Sequence, residues 1–235
     1  MIKLVLRETQ KLYLNIFYPK KCIICNSYGE HLCLGCAADI ELVKTSICPI
    51  CGKISMDGKY CSECKKASEF VLKGIISACT YKDETAKEIV HHLKYNGLTD
   101  LSEILGELIK QKLSQNKLLE NSVIVPVPLH TNRESERGFN QSELIAKYVA
   151  KNLGTAGGNA LVRTKNSEPQ AKLKRRQRLS NLKNCFEVAD QEFIDGKRVL
   201  LIDDVATTGA TLNECARVLM DAGAKEVWGV VVAHG

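Results

Sequence analysis

The chain has no run of 18 apolar residues in its 235 positions, which excludes an ordinary membrane-spanning helix. Its first residues, MIKLVLRETQKLYLNIFYPKK, also lack an unbroken apolar core. Arg7, Glu8 and Lys11 interrupt it, which excludes a secretory signal and leaves the cytoplasm as the expected compartment. Ile2, Val5, Leu6, Tyr13, Ile16 and Phe17 fit an amphipathic helix instead, docked on the body or on a partner or membrane surface. Aromatic residues are only 6% of the chain, and Phe186 alone lies near its most basic stretch, so base stacking there is poorly supported. No low-complexity linker is present. The length and the 45% apolar content fit one large domain or two smaller ones with a real core.

Cysteine, by contrast, is plentiful. Eight of the eleven fall in four C-x-x-C pairs: Cys22/Cys25, Cys33/Cys36, Cys48/Cys51 and Cys61/Cys64. Two cysteines separated by two residues can hold one metal from a tight turn, and a tetrahedral Zn²⁺ takes two such pairs. The simplest pairing is sequential, with Cys22, Cys25, Cys33 and Cys36 on one zinc and Cys48, Cys51, Cys61 and Cys64 on a second; interleaved pairing stays open. Disulfides are disfavoured because nothing exports the chain, and the repeated ribbon-like spacing favours zinc over iron–sulfur ligation. Four thiolates close the coordination shell, so both sites read as structural, and the segment should unfold without metal. His31 is an alternative ligand between the first two pairs. Cys79, Cys185 and Cys215 are isolated and read as small buried apolar residues.

The formal charge of +6 is unevenly spread. Arg163, Lys165, Lys172, Lys174, Arg175, Arg176, Arg178 and Lys183 stand against Glu168 alone, an excess larger than that of the whole chain. Two zinc centres with four thiolates each, formally −2 apiece, would lower the total to about +2. The basic window is therefore better evidence for an anionic partner than the overall charge. It suits a lid over a reacting centre, a single-stranded-DNA track, both, or simply a solvated face.

Val199–Thr211, VLLIDDVATTGAT, carries the most chemistry. A continuous apolar run suits a buried parallel strand. Asp203 and Asp204 follow at its C-terminal end, where ligands bind in open α/β sheets. Small and hydroxyl residues come next, and a helical pattern begins at Leu212. Gly209 allows close approach of backbone, the helix N-terminus offers N–H groups to an anion, and Thr207, Thr208 and Thr211 add hydroxyls. Such a loop suits a phosphate. Two carboxylates would repel that phosphate, but they fit sugar hydroxyls or Mg²⁺. An ordinary strand-turn-helix is the plain alternative.

The segment resembles the phosphoribosyl pyrophosphate (PRPP) motif of type I phosphoribosyltransferases. The resemblance implies that Asp203 and Asp204 contact ribose hydroxyls, with any catalysis centred on them, and that the stretch from Val205 through Ala206, Thr207, Thr208, Gly209, Ala210 and Thr211 holds the 5′-phosphate. Between the cysteines and this motif, strands are expected at Val71–Tyr81 and Ser122–Val127, helices at Glu84–Tyr95, Leu101–Leu113 and Glu143–Leu153, and a late strand at Glu226–Val232. Strands alternating with helices indicate an α/β fold with a mainly parallel sheet flanked by helices. We divide the chain into residues 1–68, an N-terminal helix with a small double zinc ribbon of four cysteines per metal, and 69–235, a type I phosphoribosyltransferase-like domain.

Two further stretches, Val125–Gln141 (VPVPLHTNRESERGFNQ) and Ala171–Phe186 (AKLKRRQRLSNLKNCF), complete a resemblance to the ComF family along essentially the whole chain. The family is associated with DNA uptake and natural transformation, which implies PRPP with Mg²⁺, single-stranded DNA and a competence helicase-like protein as partners. Arg133 and Arg137 would face the pyrophosphate, although Glu134 and Glu136 beside them could pair with them on a solvated surface. Lys94 is a weaker anion-site candidate. For nucleic acid the candidates are Arg163, Lys172, Lys174, Arg175, Arg176 and Arg178. The amidophosphoribosyltransferase label often given to such proteins is unsupported, since no cysteine follows the initiator Met and no glutaminase domain is present. Three functions compete: a DNA-handling protein that keeps a PRPP site, an active phosphoribosyltransferase with an unidentified nitrogen acceptor, and a zinc adaptor with a vestigial site.

Overall fold

The computed structural model describes residues 19–67, 70–114, 117–165 and 184–235. The amphipathic N-terminal stretch and Lys172, Lys174, Arg175, Arg176 and Arg178 lie outside the described residues. Five strands form one fully parallel sheet: β1 (Ile75–Thr80), β2 (Ser122–Pro126), β3 (Ala156–Gly157), β6 (Arg198–Ala206) and β7 (Glu226–His234), in the order β1-β7-β6-β2-β3. The two long strands β6 and β7 are central. Their Val199, Leu200, Leu201, Ile202, Val227, Val231 and Val232 are all without exposure, as expected of strands covered on both faces. Each such side chain contributes about 1.5–3 kcal/mol on burial.

Two short helices, α1 (Leu34–Ala38) and α2 (Ser62–Ala67), lie in the cysteine-rich segment, and another, α7 (Gln191–Ile194), precedes β6. Longer helices fill both faces of the sheet. On one lie α3 (Glu84–Tyr95), α4 (Leu101–Ser114) and α6 (Gln141–Leu153), whose Ile89, Leu93, Leu105, Ile109, Ile145 and Val149 pack against Leu200, Ile202, Val230 and Val232. On the other lies α8 (Ala210–Asp221), whose Leu212, Cys215, Ala216 and Leu219 meet Val199, Leu201 and Val231. These apolar positions follow the helical spacing, so the sequence pattern selects the face. The short helix α5 (Thr131–Arg137) was not expected from sequence. Neither was the antiparallel pair β4 (Leu161–Arg163) and β5 (Phe186–Val188). Strand β6 runs four residues beyond its apolar core, through both aspartates, so the loop before α8 shrinks to Thr207-Thr208-Gly209.

The cysteine-rich segment straddles the β1 edge of the sheet. Cys22, Leu32, Cys36 and Ile40 join the core on the α3 side, whereas Cys48 and Tyr60 join the core on the α8 side. Between them the chain crosses the edge. The Val43 N–H donates to the Ala78 carbonyl at 2.8 Å, and Leu42 bridges Cys79. Gly58 then abuts Gly74. A Cβ at Gly58 would lie 2.1 Å from the Ile75 carbonyl oxygen, and Gly58 sits at φ +72°. Gly58→Ala should therefore cost about 2–4 kcal/mol through overpacking and strain. Urea unfolding should show this as a lower midpoint; an unchanged midpoint would mean that the ribbon yields freely at this contact.

Candidate functional site

The cysteines resolve the pairing left open by sequence. Cys22, Cys25, Cys33 and Cys36 form one group and Cys48, Cys51, Cys61 and Cys64 another, all sulfurs within 4.8 Å in each. All eleven cysteines are free of disulfides. The Cys25–Cys33 and Cys51–Cys61 sulfur separations are 3.6 and 3.7 Å. A zinc tetrahedron with Zn–S bonds of about 2.3 Å has edges of about 3.8 Å, so both quartets fit zinc. The turns are near copies. The Cys22 and Cys48 carbonyls accept from the amides of Asn26 and Gly52, both left-handed, and the Cys22 and Cys48 amides donate to the carbonyls of Ser27 and Lys53. Burial works to raise the Cys22 thiol, but N–H groups of Cys25, Cys33 and Ile24 outweigh it and bring it down to about 6. Cys48 reaches about 6 likewise, against its burial, through Cys61, Cys51 and Ile50. These donors stabilise the thiolates that a metal requires. His31 is not in either group: its Nδ1 lies 2.9 Å from both carboxylate oxygens of Asp100, which also pairs with Lys20. Cys79, Cys185 and Cys215 are buried as expected.

The second cluster sits at the C-terminal end of β6. Side chains alternate along a strand, so Asp203 continues the α8-facing row of Val199 and Leu201, and Asp204 the opposite row of Leu200 and Ile202. Each carboxylate is held differently. Lys94 Nζ, from the last turn of α3, donates to Asp204 Oδ1 at 2.7 Å in a buried ion pair, while Asp204 Oδ2 is buried with no hydrogen-bond partner among the described residues. Asp203 Oδ1 accepts from Ser142 Oγ at 2.8 Å and from the Asp204 amide at 2.9 Å. Burial and then the Asp204 charge push the Asp203 carboxyl up to about 7, against partial relief from Lys94 and Ser142. Lys94, the weak anion candidate, is thus committed to a carboxylate. Ser142, unnoticed in the sequence, positions the other.

A short loop and the start of α8 follow the acids. Gly209 is the N-cap of α8 at φ +71° and brings no side chain of its own to the helix start. The Ala210 amide donates to Thr208 Oγ1 at a long 3.4 Å. On the other side of the acids, His130 caps α5 and Asn140 caps α6; Asn140 Nδ2 also donates to the Val127 carbonyl, fixing the turn after β2. Arg137 hydrogen-bonds Gln141 and lies 5.7 Å over the Tyr95 ring. Arg163 stacks on Phe186 at 5.4 Å, and burial, then the nearby Arg133, lower its pKa. Arg163 pairs with Phe186 in register.

These features define a phosphoribosyltransferase-type fold carrying a double zinc ribbon. Family models agree: "Double zinc ribbon domain" matches residues 13–65 and "Phosphoribosyl transferase domain" matches 140–235. The chain is 31% identical to Competence protein ComFC of Bacillus subtilis over 199 residues, 83% of this chain and 80% of that one. It is 28% identical to Competence protein F of Haemophilus influenzae (86% and 96%) and 30% identical to DNA utilization protein YhgH of Salmonella typhimurium (84% and 88%). The chain belongs to the ComF family. No helix among the described residues is long and apolar enough to cross a membrane.

Two outcomes follow from the acid pair. Lys94→Ala strands a buried Asp204 charge and should cost about 3–5 kcal/mol, whereas Lys94→Met with Asp204→Asn should recover most of it; equal losses in denaturant titrations would deny the pairing. Asp203 holds in the folded state a proton that the unfolded chain releases near pH 3.9. Its contribution is therefore fully present below about pH 4 and lost as pH rises through about 7. The Tm of Asp203→Asn relative to wild type should climb by a few degrees, about 2–6 °C, between pH 5 and 8. A pH-independent difference would contradict it.

Proposed function

We propose that this chain is a competence protein whose phosphoribosyltransferase-like unit, residues 69–235, binds PRPP with Mg²⁺, and that it handles single-stranded DNA during natural transformation in the cytoplasm. The observation that carries the reading is the helix start at Gly209, which follows two carboxylates at a parallel-strand end across a short hydroxyl-bearing loop. In this reading Val205–Thr211 hold the 5′-phosphate, Asp203 and Asp204 take the ribose hydroxyls, and Arg133 and Arg137 face the pyrophosphate. Mg²⁺ supplies neutralisation of the pyrophosphate when bound. The printed names of the relatives, competence and DNA utilization proteins, support the DNA role. So does the charge of the basic stretch, whose first residue, Arg163, feels the charge of Arg133. A competence helicase-like protein is the expected partner, and residues 1–68 the zinc-stabilised unit.

Catalysis is a second reading with one observation in its favour. A carboxyl titrating near 7, like that of Asp203, is matched to proton transfer at neutral pH. Pyrophosphate release from PRPP in the presence of purines, pyrimidines or amines would establish it; silence across such panels would leave binding alone.

The binding reading predicts that millimolar PRPP with Mg²⁺ raises the Tm by several degrees, and that Asp203→Ala with Asp204→Ala abolishes the shift. A wild-type protein indifferent to the ligand would refute it. Single-stranded DNA should bind with steep salt dependence, and neutralising Arg175, Arg176 and Arg178 together should lower the log–log slope by about 2. Unchanged affinity in that variant would remove the basic stretch from the DNA path.

A further inference from the structure

Tyr60 belongs to the second zinc ribbon in sequence and to the phosphate loop in space. It directly precedes Cys61, whose amide donates to Cys48 Sγ at 3.4 Å, so the turn that positions the ring is held by the cysteine quartet. The side chain is 9% exposed and packs in one core with Leu72, Ile75, Ala206, Ala210 and Leu212. Its ring stacks on Phe70, with centroids 5.3 Å apart. A methyl group placed on Gly209 would come within 4.0 Å of the Tyr60 hydroxyl. That hydroxyl is buried and has no hydrogen-bond partner among the described residues. Buried hydroxyls are nearly always paired, so an orphan requires an explanation.

A second tie runs beside it. Asn213, one turn into α8, uses Oδ1 to accept the Val71 and Leu72 amides at 2.9 and 3.3 Å, while its own amide donates to the Gly209 carbonyl at 2.8 Å. The chain leaving the ribbon is therefore fastened to the helix that begins at the loop. When a loop closes on a phosphate, its N–H groups turn to the ligand and its carbonyls turn inward. The Tyr60 hydroxyl stands beside Gly209, able to join the Asn213 amide as a second donor to the Gly209 carbonyl.

We propose that Tyr60 is a positioning residue of the phosphate loop, and that metal on Cys48, Cys51, Cys61 and Cys64 and phosphate on the loop at 207–211 are bound cooperatively through it. The inference rests on the PRPP-binding reading above. Tyr60 stabilises the occupied loop only while the metal holds the Cys61 turn in place. Because coupling free energy is reciprocal, the ligand must tighten that metal by the same factor by which the metal tightens the ligand.

Full-length, zinc-loaded protein and its Tyr60→Phe variant test this with PRPP and Mg²⁺. Removing an unpaired hydroxyl should leave the ligand-free Tm equal or higher. Calorimetry should nevertheless show PRPP binding weakened about 5–10-fold in Tyr60→Phe. In equilibrium competition with a chromogenic chelator, saturating PRPP should tighten one of the two zinc ions about 5–10-fold in wild type and neither in the variant. A variant that binds PRPP as wild type does, or zinc affinities indifferent to PRPP in wild type, would overturn the proposal. A wild-type protein that does not bind PRPP at all refutes the parent reading, and the inference with it. The two failures are distinguishable because the wild-type titration does not involve the variant.

Discussion

Two adjacent carboxylates at the buried end of the central strand set the terms for what surrounds them. Neither can stay ionised there without an answering group. Strand alternation sends them to opposite faces of the sheet, so Lys94 bonds Asp204 directly and gives Asp203 only partial relief. Asp204 meets Lys94, which requires α3 to end beside β6 with its last turn facing the sheet. Asp203 meets a hydroxyl and a backbone amide and otherwise relieves its burial by holding a proton near neutrality. One helix, α3, is thus tied to the strand by an ion pair, whereas the other carboxylate is held by a hydroxyl and a backbone amide.

The same strand end shows what was legible in the sequence. Apolar run, acid pair and glycine are contiguous, and each acts through local backbone geometry, so strand, turn and helix could be read together. The helices over 84–95 and 101–114 were equally plain, because their apolar spacing reports the face that they bury. Lys94 and Ser142 were not legible in their roles. They sit 110 and 61 positions from their partners, and nothing in LKY or NQS announces a carboxylate that far away. The loop was read too long because the apolar run stops at Ile202 while pairing with β7 continues to His234. Pairing is a property of the neighbour strand, which local composition does not report. The short pair β4–β5 escaped for a related reason: three residues in each strand carry no usable periodicity.

The cysteine module has a mechanical part in this arrangement beyond holding metal. An exposed outer strand of a sheet offers unpaired backbone groups and must be covered. Here the link between the two quartets crosses β1 and takes up the Ala78 carbonyl, with one ribbon seated on each face. A short segment with little core of its own can act as such a clamp only if its turns are rigid. Two closed thiolate sites supply that rigidity at small size. The glycines at 58 and 74 then allow the closer ribbon to rest backbone against backbone on β1.

That contact places the second ribbon under the same loop that the acid pair adjoins. A Cβ at Gly209 would meet Ile75 Cδ1 at 3.0 Å and the Tyr60 hydroxyl at 4.0 Å, so the glycine leaves room for the ribbon beside the helix start. Any other residue at 209 would add a Cβ into that contact as well as strain the backbone. A single position therefore ties the start of α8 to the fit of the cysteine module, and the two segments, distant in sequence, meet in one core.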